Sequence, residues 1–120
     1  MNKDLESDDF DILAQRLTLW AEKQNLLEKA LQGLAKCFEN EGGIIDGWTI
    51  AEMRPQFRDH ALCFSSALYS YPFVKTTFHL FSPDDIHSGE YRLLTTLDGE
   101  IDDDFLLLDV TKSEYEQKHF

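Results

Sequence analysis

Residues 61–81 read ALCFSSALYSYPFVKTTFHLF. Apolar and polar side chains alternate with a period of two on both sides of Ser70-Tyr71-Pro72. Successive side chains on a strand point to opposite faces, so this stretch predicts two strands, 61–69 and 73–81, with a tight joint between them. A three-residue joint would set Tyr69 opposite Phe73 and Leu68 opposite Val74. One face then carries Leu62, Phe64, Leu68, Val74, Phe78 and Leu80, with Ser66 opposite Thr76, and is the expected core face. The other carries Cys63, Ser65, Tyr69, Phe73, Lys75, Thr77, His79 and Phe81, and Cys63 falls opposite His79.

Downstream, SPDDIHSG at 82–89 is rich in turn formers. Residues 90–97 read as a third strand, and Asp98-Gly99 is the strongest hairpin signal in the chain. A fourth strand is expected over 105–110, entered through Asp102-Asp103-Asp104, and the charged tail 111–120 is expected to fray.

Upstream, apolar residues recur in steps of three and four at Phe10, Leu13, Leu17, Trp20, Leu27, Leu31, Leu34 and Phe38, with Gln24 in the one gap. Ser7 is the expected N-cap, with Asp8, Asp9 and Asp11 in the first turn, where the helix dipole favours anions. Asn40-Glu41-Gly42-Gly43 marks the end. At about 1.5 Å per residue an unbroken helix from 8 to 38 would span roughly 46 Å, while a typical strand spans about 20 Å. The expectation is therefore two helices or a kinked one, broken near Lys23-Gln24-Asn25. The alternative is an overhang that pairs with a second copy. Residues 44–60 read as an irregular connection. Thr49 and Glu52 match a capping box there, and Pro55 opposes a longer helix.

These elements define an α+β fold, a helix or helix pair packed on one face of an antiparallel sheet of about four strands. The element order is similar to that of the cystatin-like and nuclear-transport-factor-2-like superfolds. The 120 residues, with nine Phe and 42% apolar side chains, suit one domain, 1–120, with one core. No stretch approaches the roughly 20 apolar residues of a membrane span. The opening MNKDLESDDFD lacks the pattern of a signal peptide, so a cytoplasmic location is expected, with Cys37 and Cys63 reduced.

Net charge is −12, and −8 of it falls in residues 82–120. Direct nucleic-acid binding is disfavoured, because neutralising phosphates needs a basic patch. A basic protein partner is favoured instead, since complementary fields speed encounter and set specificity. The expected partner surface comprises Asp84, Asp85, Tyr91, Arg92, Asp98, Glu100, Asp102, Asp103 and Asp104. Tyr and Arg are residue types enriched in binding hot spots. In size and charge the chain is similar to small acidic bacterial immunity proteins, and that resemblance implies a non-enzymatic inhibitor covering a basic groove. The mixed face around Cys63, Tyr69, Phe73 and His79 is the alternative, a small-ligand or minor enzymatic pocket. A homodimer through the N-terminal helix is a third reading.

No enzyme is indicated by motif. Glycine-rich phosphate loops and a GxSxG elbow are absent from the sequence. His60, Cys63, His79 and His87 show neither CxxC nor HExxH spacing, and the acids at 98–104 do not follow the EF-hand pattern. No catalytic residue, metal or cofactor is expected.

Overall fold

The computed structural model describes residues 7–45, 47–64 and 71–109, with side chains from Asp9 onward. Two helices, α1 (Ser7–Lys23) and α2 (Leu26–Asn40), precede a two-residue-per-strand hairpin, β1 (Ile44–Ile45) and β2 (Trp48–Thr49). A four-stranded antiparallel sheet follows: β3 (Arg54–Cys63), β4 (Phe73–Phe81), β5 (His87–Thr96) and β6 (Ile101–Leu108), paired in chain order. The helices lie on one face of this sheet, as the period change in the sequence implies.

The helix break falls at Gln24 and Asn25. Asn25 adopts a left-handed conformation, φ 55°, which Asn tolerates better than most residues. This turn rotates the apolar register of the second helix. α2 buries Leu26, Ala30, Leu34 and Phe38, whereas Leu27 and Leu31 of the heptad-like seam are turned outward. Gly42 and Gly43, both at positive φ, end α2 where the sequence placed its stop. Ser7 is the first helical residue, and its side chain, expected as the N-cap, lies outside the described residues.

The main core joins α2 to β4 and β5 through Ala30, Leu34, Phe38, Ile45, Met53, Phe78, Leu80, Tyr91 and Leu93. Each fully buried large side chain here contributes about 1.5–3 kcal/mol of hydrophobic stabilisation. A smaller cluster of Ala21, Leu26 and Val74, flanked by Leu17 and Trp20, anchors the end of α1. The first half of α1 is exposed, including Phe10 and Leu13.

The core face of β4 is as read: Val74, Thr76, Phe78 and Leu80 are buried. The pairing partner is not. Cys63 opposes Phe73, Leu62 opposes Val74, and His79 faces Gln56 rather than Cys63. The first strand of the hairpin therefore starts at Arg54, ten residues long, and takes in most of the stretch read as irregular. Pro55 is accommodated because β3 is an edge strand, where a missing donor costs no ladder bond. Phe64 is exposed, and Ser65, Ser66, Leu68, Tyr69 and Ser70 lie outside the described residues. Thr49 and Glu52 do interact: the Thr49 amide and hydroxyl both donate to Glu52 Oε1 at 3.0 Å, within a single turn.

Candidate functional site

Of the three register slips among the sheet's described residues, those within β3–β4 and β4–β5 shape the open face around His79. Between Leu80 and Phe81 the β4–β5 register slips, so that Leu80 faces Gly89 and Phe81 faces His87. Strict alternation would have sent His87 to the opposite face from Glu90. The extra residue, Ser88, is buried, and His87 instead joins His79 and Glu90 on the open face. A second slip between Phe57 and Asp59 frees Arg58 from the ladder and sets it beside His79.

The result is one continuous polar chain. Arg58 Nη1 lies 2.8 Å from His79 Nε2, His79 Nδ1 lies 3.0 Å from His87 Nε2, and His87 Nδ1 lies 2.5 Å from Asp109 Oδ2. A guanidinium can only donate, which fixes the remaining roles. Arg58 donates to Nε2 of His79, His79 Nδ1–H donates to His87, and His87 Nδ1–H donates to Asp109. Both imidazoles are neutral in this arrangement. Glu90 stands opposite His79 across the strands, with Oε1 3.5 Å from Nε2. Its other oxygen accepts from Arg92 Nε and Nη2 at 3.1 and 2.8 Å. That hydrogen-bonded Arg92 holds the Glu90 carboxyl below its ordinary range, against the opposing effect of burial.

Comparison of the chain with protein-family models, curated proteins and solved structures gives no match.

The expected sites sort differently in three dimensions. Cys63 and His79 are six positions apart along β4, about 20 Å at strand spacing, so they cannot act together. Phe73 sits beside Cys63 at that far end and is nearly buried, and Tyr69 is outside the described residues. His60 faces the helix side, where its Nδ1 is 2.9 Å from Thr76 Oγ1. Burial lowers the His60 pKa, partly offset by Asp59.

The expected acidic surface divides into two ends and an interior. Asp84 and Asp85 lie in the β4–β5 connection, with Asp85 ion-paired to Arg54. Asp98 and Glu100 lie in the β5–β6 turn, a ten-residue strand away, or about 30 Å. Sheet twist cannot close that gap, so no single patch spans both loops. Tyr91 is fully buried and donates to Asp104 Oδ2 at 2.7 Å, with Cys37 Sγ at 3.8 Å from the same oxygen. Burial, then Asp104, pushes both the Tyr91 phenol and the Cys37 thiol up. Tyr91 therefore offers no surface to a partner, and Cys37 is a poor nucleophile.

What remains of the acidic surface is concentrated in the β5–β6 turn and the start of β6. Asp98, Glu100, Asp102 and Asp103 are exposed, and among the described residues no cation pairs with them. Asp102 accepts from Tyr71 at 2.7 Å. Phe105, Leu107 and Leu108 are exposed in the same strand. Sequence alternation alone did not single out these apolar residues as surface, because an edge strand has no neighbour to cover it.

A separate groove of about 590 Å³ opens between α1, the start of α2 and β3. Leu17, Ala21, Leu26 and Phe57 supply its apolar wall, with Glu22, Glu28 and Asp59 at the rim.

Proposed function

We propose that this chain is a non-enzymatic binding protein that uses the β6 edge to cover a basic surface on a protein partner, in the manner of an immunity-type inhibitor. The carrying observation is exposed Phe105, Leu107 and Leu108 on β6 together with Asp102 and Asp103 of the same strand and Asp98 and Glu100 of the turn before it, acids that lack cationic partners among the described residues. Exposed apolar side chains beside charged ones suit a protein interface, and Phe105 and Leu107 share the open face of the sheet with Asp103. β6 is also the end of the sheet order, so among the described residues no strand pairs with its outer edge.

The test is affinity capture from cells with the full chain, at low and high salt, followed by binding kinetics with the recovered partner. Asp102→Asn with Asp103→Asn is expected to slow association several-fold and flatten its salt dependence. Phe105→Ala is expected to speed dissociation. Unchanged kinetics in both variants would remove β6 from the interface.

A second reading has its own observation. The exposed Phe10, Leu13, Leu27 and Leu31 and the neighbouring groove favour assembly through the N-terminal helices, either with a second copy or around an apolar ligand.

A further inference from the structure

We infer that His79, His87 and Glu90 form a zinc-binding site on the open face of the sheet. One ligand atom from each residue lies within 4.8 Å of the others. His79 Nδ1 and His87 Nε2 already face one another at 3.0 Å. Zinc–nitrogen bonds of about 2.0–2.1 Å in a tetrahedron place neighbouring nitrogens about 3.3 Å apart, so the rings need part by only a few tenths of an ångström.

The surroundings match what a metal-ligating set requires. His87 presents Nε2 inward because Asp109 accepts from its Nδ1–H, the carboxylate–histidine arrangement that orients ligands and raises their basicity. Glu90 has one oxygen held by Arg92, and its other, Oε1, lies 3.5 Å from His79 Nε2, so it must swing along the ring edge toward Nδ1 to complete the set. Strand pairing fixes the backbone of all three, since His79 opposes Glu90 and the bulge at Ser88 delivers His87. All three side chains are partly open to solvent, at 20–35% relative exposure, so an ion can enter and a fourth position stays free for water.

In the metal-free arrangement the His79–His87 hydrogen bond occupies the place of the ion. Binding moves the His79 proton from Nδ1 to Nε2, leaving both rings neutral. Arg58 must then leave Nε2, since two donors would face each other. Its exposed side chain has Asp59 at 3.8 Å to turn toward. Two imidazoles and one carboxylate select zinc over magnesium or calcium, which take oxygen-rich sets.

The experiment is calorimetric titration of the full chain with zinc chloride at neutral pH, with cobalt(II) absorption as a geometric probe. The expected result is one zinc per chain, and a tetrahedral cobalt spectrum without thiolate charge-transfer bands. His79→Ala and His87→Ala should each weaken binding at least about tenfold, and Asp109→Asn by about tenfold through His87. Arg58→Ala should bind as well as the parent or better. His87→Gln, which keeps size and polarity, is read with circular dichroism so that loss of a ligand is told apart from loss of fold. His60→Ala is the control and should not change the affinity. Binding well below one ion per chain, or an affinity unchanged from the parent in His79→Ala or in His87→Ala, would overturn the assignment.

Discussion

At the residue scale, the buried polar groups carry the sharpest tests. Thr95 Oγ1 is fully buried and has no hydrogen-bond partner among the described residues. An unpaired buried hydroxyl keeps its desolvation cost, and valine has the same shape without it. Thr95→Val is therefore expected to stabilise the fold by about 1 kcal/mol in urea titrations. His60 sets the response to mild acid. Its folded pKa lies below the ordinary 6.5, chiefly through burial, so the unfolded chain binds the proton more readily. Its contribution is complete above 6.5 and is lost as pH falls from there toward the lowered folded value. The lowered carboxyl of Glu90 adds a second loss, beginning only below its ordinary 4.5. His60→Asn should flatten the change in urea midpoint between about pH 7.5 and about pH 5.5, while leaving the loss at lower pH. Little of this was legible beforehand. Thr95, Tyr91 and Asp104 look like surface residues in sequence, and only the strand pairing shows that they face the helices.

At the scale of elements, periodicity gives the type of each segment but not its neighbour. The apolar stripe, its gap at Gln24 and the Gly42-Gly43 stop predict two helices or one kinked near Lys23-Gln24-Asn25, and the structure has two. The new fact is the phase change. Asn25 at φ 55° resets the register, so that Leu26 and Ala30 replace Leu27 and Leu31 on the core side. An alanine forced into this conformation costs about 1–2 kcal/mol, which is the destabilisation expected for Asn25→Ala by thermal melting. Asn25→Gly should be close to neutral there, because glycine enters the left-handed region freely. The hairpin register failed for a related reason. Residues 61–69 alternate well enough to be a strand, whereas the upstream stretch with Pro55 shows no such alternation and pairs only because it lies at the sheet edge. The bulges at Arg58 and Ser88 leave no mark in the pattern, although they create the His79–His87–Glu90 cluster.

For the whole molecule, charge and shape act in opposite directions. A net charge of −12 repels itself, and the exposed acids near β6 have no cation at ion-pair distance among the described residues. Self-repulsion destabilises the compact state, so the melting temperature should rise as sodium chloride is raised from about 0.01 M to about 0.5 M, where the Debye length falls below about 5 Å. Neutralising Asp102 and Asp103 to asparagine should have the same sign at low salt and shrink the salt response. The paired result discriminates between two reasons for the charge. An acidic surface kept only for solubility would gain stability on neutralisation while association with the captured partner stayed the same. A recognition surface would gain stability and lose association rate in the same variant, because carboxylates that repel one another in the free protein are the ones a basic partner relieves. Measuring melting temperature and association rate on the same Asp102→Asn, Asp103→Asn preparation separates these cases, and loss of rate together with gain of stability is the outcome expected here.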